Sequence, residues 1–191
     1  MGVNWASLVC PLLLPLSFLW DTICLWQLKL RFWKSKGPTA HRDRVKNVQD
    51  QVKEWRVSGR GRKMCTARPS WMSISQQKLG YKDRMYRVKV DLQDILEIDG
   101  TGLTVTVEPA VTIGFLNRVL VNAGFTLPIV PELDTLTLGG LIMGGGIEST
   151  SHKYGLFHKL AVEYEIVTAD GECVTASEEE NTDLFKAVPM R

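Results

Sequence analysis

Pro131 to Gly155 reads PELDTLTLGGLIMGGGIESTSHKYG, and it holds six of the chain's 16 glycines, at 139, 140, 144, 145, 146 and 155. Glycine admits positive φ and close backbone approach, so successive N–H groups can turn toward an anion such as a pyrophosphate. Ser149, Thr150 and Ser151 add hydroxyl donors. Two familiar phosphate patterns do not fit. A Walker loop needs Lys after its last glycine, whereas Ile147 follows Gly146. A dinucleotide fingerprint opens a helix directly after a strand and is followed by an acid on the next strand. By spacing alone the segment reads equally as a ligand loop or as a run of turns packed inside a sheet domain.

The flanks read as an α+β arrangement of strands and short helices. Upstream, Tyr86, Val88, Val90 and Leu92 alternate with polar residues, as do Leu103, Val105 and Val107, which predicts two strands with one buried face each. The DGTG run at 99–102 supplies a tight turn before the second. Thr112 is placed to cap a helix whose apolar face is Leu116, Val119, Leu120 and Ala123, with Gly124 as its stop. Downstream, 160–168 and 172–176 predict a hairpin joined through Ala169, Asp170 and Gly171. Before all of these, 34–40 reads as a linker. Val45, Val48, Val52 and Trp55 then fall at helical spacing, an amphipathic stripe for which packing on the domain is favoured over lying on a membrane.

The N-terminus is different in kind. From Val3 to Leu28 the only charged residue is Asp21, and seven Lys or Arg follow between Lys29 and Lys46 against the single acid Asp43. As a helix, Trp5 to Trp26 would extend about 33 Å, one bilayer core. Pro11, Pro15 and Asp21 keep a shallow interfacial anchor open as the alternative. A basic n-region and a small-x-small cleavage site are both missing, which favours an anchor over a cleaved signal. The basic flank places the remainder in the cytosol. A net charge of +2 gives no case for nucleic acid, and Cys10, Cys24, Cys65 and Cys173 form no CxxC pair, which argues against zinc or a disulfide framework. The expected organisation is an anchor at 1–33, a linker and amphipathic helix at 34–62, and an α+β domain at 63–191.

The order LQDILEID, LTVTVEPAVTIGFLNRVLVNAG, the glycine segment, and LAVEYEIVTADGECVTASEEENTDLF resembles the FAD-binding domain of the vanillyl-alcohol oxidase, or para-cresol methylhydroxylase, superfamily. CTARPSW (65–71), LIMGGGIES (141–149), SHKYGLF (151–157) and the apolar N-terminus are most similar to its sterol reductases. The resemblance implies a two-subdomain α+β fold holding FAD. The flavin-contacting stretch becomes Thr137, Leu138, Gly139, Gly140, Leu141, Ile142, Met143, Gly144, Gly145, Gly146, Ile147, Glu148 and Ser149. It implies NADPH as reductant, a membrane sterol as substrate with reduction of its delta(24) side-chain double bond, and residence in the endoplasmic reticulum or Golgi membrane. An oxidase of alcohols, lactones or sugars is the alternative enzyme, and a non-catalytic flavin-domain fragment the alternative to an enzyme.

In most relatives the stretch matching Cys65–Ser75 is a second, glycine-bearing loop; Ala67 and Ser70 stand here where glycine is expected. With no His in that loop, FAD is expected to be held non-covalently. His152 and His158 read as hydrogen-bonding loop residues. Relatives continue past NTDLFKAVP with the end of the FAD domain and a cap, so the resemblance assigns no general acid here. These 191 residues by themselves are expected to hold FAD weakly and not to turn over sterol.

Overall fold

The computed structural model describes residues 15–20, 22–23, 26, 30, 37–59, 61–69 and 80–189. They belong to two compact units, Met1–Ser35 and Lys36–Arg191. In the first, residues 15–20 are helical, Leu16, Phe18, Leu19 and Trp20 are exposed, and the Thr22 hydroxyl donates to the Phe18 carbonyl. Among the described residues no helix is long and apolar enough to cross a membrane. Most of the expected span, 3–28, lies outside the described residues.

The second unit opens with helix α1, Gly37–Glu54, and a π turn, Trp55–Gly59. The helix starts inside the stretch read as linker, because Pro38 falls in the first turn, where a missing N–H costs nothing. Val45, Val48 and Val52 are buried against Val88 and Leu92, so the amphipathic stripe faces the domain. The Trp55 indole N–H donates to the Arg62 carbonyl at 2.7 Å and closes the π turn.

Strands β1 (Met64–Thr66) and β2 (Tyr86–Val88) pair in parallel. The alternation from Tyr86 to Leu92 predicts a longer strand, but α1 interrupts it. Gln51 accepts from the Lys89 N–H at 2.7 Å and donates to the Lys89 carbonyl at 3.0 Å, taking both groups that a ladder would use. The DGTG turn instead joins β3 (Ile95–Asp99) to β4 (Thr104–Val107) in an antiparallel hairpin. The amides of Gly102 and Thr101 bind the Asp99 carboxylate and hold it below its ordinary pKa.

Helix α2, Ile113–Asn122, is capped by the Thr112 hydroxyl, which accepts from the Phe115 N–H at 3.4 Å, and its exit passes Gly124 at φ 84°. It joins two cores. Leu116 and Leu120 pack with Ile95 and Val111, while Ile113 packs with Ile129, Leu141 and Phe157. Leu116 is 1% exposed, so Leu116→Ala leaves a cavity and should lower stability by about 3 kcal/mol. A fall in the urea midpoint at unchanged slope would register it.

After α2 come helices α3 (Leu138–Gly144) and α4 (Ser151–Tyr154), a 3-10 turn at Phe157–Leu160, and the antiparallel strands β5 (Glu163–Val167) and β6 (Cys173–Ser177). The β5–β6 turn docks on α1: the Gln49 amide donates to the Gly171 carbonyl at 3.0 Å, and Arg56 pairs with Asp170 at 2.6 Å. Helix α5, Thr182–Ala187, sets Phe185 against Tyr164, ring centroids 5.0 Å apart.

Candidate functional site

Three glycines in seven residues argue against a helix on propensity, yet α3 forms over LGGLIMG. Tertiary bonds set its start. The Leu138 N–H donates to the Val111 carbonyl at 3.0 Å and the Gly139 N–H to the Pro109 carbonyl at 2.9 Å, while Leu141 is buried and fixes the helix to the core beneath. Thr112 and Thr137 form an isolated antiparallel bridge alongside.

The glycines then separate by what surrounds them. A Cβ on Gly139 would stand 3.0 Å from the Pro109 ring, so that glycine permits close packing. One on Gly146 would lie 2.6 Å from the Phe157 Cβ, at φ 54°. Gly145 is buried at φ 88° and its carbonyl accepts from the Phe157 N–H. These three have structural reasons to be glycine. Gly144 has none among the described residues, where a Cβ on it meets nothing within 4 Å. At Gly140 it meets, among the described residues, only the Thr137 hydroxyl, at 3.1 Å. Both are exposed, as are Met143 and Ile147, the latter 76%. Backbone kept bare at an open surface is what a ligand pressed against it requires.

The remaining residues of the stretch turn inward or bond locally. Leu138 and Ile142 are partly buried on the core. The Glu148 N–H donates to the Ser151 hydroxyl at 2.9 Å, and the Ser149 carbonyl is bonded by His152 Nδ1 at 2.7 Å. Burial, helped by Lys159, pushes the His158 imidazole below its usual pKa, which leaves it neutral near pH 7. Ser149 is exposed beside these bonds.

Two further groups of residues bear on this surface; the sequence marked the 65–75 loop of the first for its missing glycines, but not Arg68 or Lys82 themselves, nor any member of the second. From the 65–75 loop, Arg68 reaches Thr137, its Nη1 donating to the hydroxyl at 3.2 Å and its Nη2 to the Thr135 carbonyl at 3.5 Å. Ala67, at a position where glycine was expected, spends its N–H on the Val88 carbonyl at 2.8 Å. Ser70 and 71–79 lie outside the described residues. Beneath the loop, Lys82, 4% exposed, donates to the Thr66 carbonyl at 3.0 Å, the Thr66 hydroxyl at 3.3 Å and the Arg68 carbonyl at 2.6 Å.

The second group centres on Glu108, 1% exposed. One carboxylate oxygen accepts from Arg44 at 2.7 Å and meets His41 Nδ1 at 2.7 Å; the other accepts from the Asp94 N–H at 2.7 Å. His41 Nε2 lies 3.1 Å from Glu165, and Arg44 also pairs with Asp94 at 2.9 Å. Burial alone would lower the Arg44 pKa, but the hydrogen bond and charge of Glu108, with those of Asp94, outweigh it and hold it raised. Glu108 thus ties α1 to the turn whose Pro109 and Val111 carbonyls seat α3. No single residue in this cluster has a sequence signal; it exists only once α1 has docked.

A family model described as an FAD binding domain matches residues 40–177. The delta(24)-sterol reductase of Homo sapiens is 47% identical over 181 residues, covering 95% of this chain and 35% of that protein. A delta(24)-sterol reductase homolog of Caenorhabditis elegans is 41% identical over 196 residues, covering 97% and 37% respectively. The chain therefore spans roughly a third of the length of these relatives. Among solved structures, 6-hydroxy-D-nicotine oxidase from Arthrobacter nicotinovorans superposes with a TM-score of 0.63 at 23% identity, over 76% of this chain and 31% of that one. A chitooligosaccharide oxidase gives 0.63 at 22%, over 76% and 30%. At such identities the two structures speak for the fold alone.

Proposed function

Since the chain belongs to the FAD binding domain family, we propose that it is the flavin-holding part of an oxidoreductase that uses NADPH to reduce the delta(24) side-chain double bond of sterols. The observation that carries the flavin assignment is Gly144, a glycine that nothing among the described residues explains, on an exposed stretch seated by two backbone bonds from the turn at Pro109–Val111. The residues fit the cofactor. Gly140 and Gly144 would let a dinucleotide lie against the backbone, and Met143 and Ile147 offer apolar surface on the same stretch. FAD, when bound, supplies the hydride chemistry between nicotinamide and alkene. The chain's share is to hold it in place through non-covalent contacts and to shed water from the apolar side. Support for a sterol substrate comes from the sterol reductase relatives at 40–47% identity.

In this reading residues 3–28 attach the protein to the endoplasmic reticulum or Golgi membrane with the flavin domain in the cytosol. The apolar run, the basic flank after Lys29 and the exposed Leu16, Phe18 and Trp20 support that placement. Tethering would keep the domain among bilayer-dissolved substrate at high local concentration. The test is to supply the whole protein in detergent with NADPH and a delta(24)-unsaturated sterol. Bound FAD and a product heavier by two hydrogens are expected. Peroxide formation with unchanged sterol would replace this reading with an oxidase.

A further inference from the structure

Helix α1 carries two kinds of surface. Val45, Val48 and Val52 share the face that the domain buries. At about 100° of turn per residue, Arg42, Lys46 and Lys53 fall together on a second row, and all three are exposed. The row runs about 16 Å along the helix. Among the described residues none of its cations pairs with a carboxylate, although Arg44, Arg56, Arg87 and Arg118 all do. The acids of α1 stand apart: Asp43, Asp50 and Glu54 share an adjoining row about 80° round the helix. The basic row is also held in place. Gln49, which lies on it, donates to the Gly171 carbonyl at 3.0 Å. A Cβ on Gly171 would stand 2.6 Å from the Lys53 Cγ, so the Lys53 stem lies against the β5–β6 turn while the residue stays exposed.

We infer that this row is a docking face for anionic lipid headgroups, which orients the domain on the bilayer. It rests on the membrane attachment proposed above and adds a second, electrostatic contact to it. The occupant follows from charge and from position in the chain. Only 29–36 separate the apolar run from α1, and that stretch adds Lys29, Arg31, Lys34 and Lys36. A chain held by 3–28 therefore offers the row to headgroups at high local concentration. Apolar insertion of α1 is excluded, because its valines are buried in the domain core. What remains is attraction at headgroup level, about fivefold per Lys or Arg near an anionic surface and roughly a hundredfold for three. A flat surface meets one row of a helix at a time, so Asp43 and Asp50 stand at the side of the contact.

The experiment inserts the full chain, and a variant carrying Arg42→Glu and Lys53→Glu, into nanodiscs of phosphatidylcholine alone or with phosphatidylserine added. Acylation of single lysines is followed by mass spectrometry at low and high salt. Lys89 is the internal control, because it is exposed and bonded to Gln51, on the opposite side of α1 from Arg42. Phosphatidylserine should slow acylation of Lys46 and Lys53 about fivefold or more and leave Lys89 within about twofold, and high salt should remove the difference. In the variant, Lys46 should react alike in both lipids. Equal Lys46 and Lys53 rates in the two lipids would overturn the inference and leave the row to an acidic protein. Protection that survives high salt would overturn it too, as would slowing of Lys89 to the same degree. A chain that joins only discs containing phosphatidylserine, with Lys46 and Lys53 protected, keeps the docking face and removes the anchor at 3–28; one that joins neither disc removes both.

Discussion

Gly144→Asp is expected to abolish FAD binding and leave the fold almost as stable as before. The position is exposed, and a Cβ on it meets no atom of the described residues within 4 Å, so the side chain has room among them. Helix propensity improves slightly on leaving glycine, and an acid in the last turn opposes the helix dipole. These terms are each below about 1 kcal/mol and of opposite sign. Against a bound diphosphate the same carboxylate is repelled by about 4 kcal/mol at 4 Å in a surface-like dielectric. That corresponds to roughly a thousandfold in Kd. Gly145 makes a poorer test. It is buried at φ 88°, so any side chain there strains the backbone and confuses lost binding with lost folding. Flavin fluorescence on titration, beside thermal melts of both proteins, separates the two effects. Unaltered FAD affinity in Gly144→Asp would remove Gly144 from the site.

Glu108→Ala should be the most destabilising polar substitution in the domain, by about 3 kcal/mol. The carboxylate is fully buried and serves Arg44, His41 and the Asp94 N–H together. Its removal leaves that amide without its acceptor and His41 without its inner partner. Arg44 keeps Asp94, which places the loss at the lower end of what breaking a buried pair costs. The effect should extend to the ligand. Glu108 precedes the Pro109 carbonyl that receives the Gly139 N–H, so its loss loosens the seat of α3. Urea denaturation measures the first effect, and FAD affinity at a temperature where the variant is folded measures the second. A loss below about 1 kcal/mol would show the cluster to be a solvated ion group rather than a fastening.

Much of this was legible in the sequence, and the parts that were not share a cause. Thr112 and Gly124 bracketed α2 because capping and positive φ are local chemistry. The stripe of Val45, Val48 and Val52 showed in its spacing. Strand β3 was obscured because a bulge between Ile95 and Glu97 breaks the two-residue period. The strand read from Tyr86 to Leu92 stops at Val88 because Gln51, far away in sequence, occupies Lys89. Helix α3 was hidden by its own glycines, since carbonyls of Pro109 and Val111 seat it against its propensity. Within the glycine segment the family resemblance marked the whole of 137–149, but only packing and backbone angle separate Gly139, Gly145 and Gly146 from Gly140 and Gly144. Arg68 lay inside a stretch noted for its missing glycines, whereas Lys82 carried no signal, because burial of a lysine is decided by what folds over it.

The claim that residues 137–149 hold the flavin diphosphate is tested most directly by amide hydrogen exchange with and without saturating FAD. The amides of Gly140 and of Gly144 to Ile147 should slow on FAD addition, and the Leu138 and Gly139 amides, already bonded to Val111 and Pro109, should change little. Bound FAD that slows exchange elsewhere in the domain and leaves Gly140 and Gly144 unaffected would contradict the assignment.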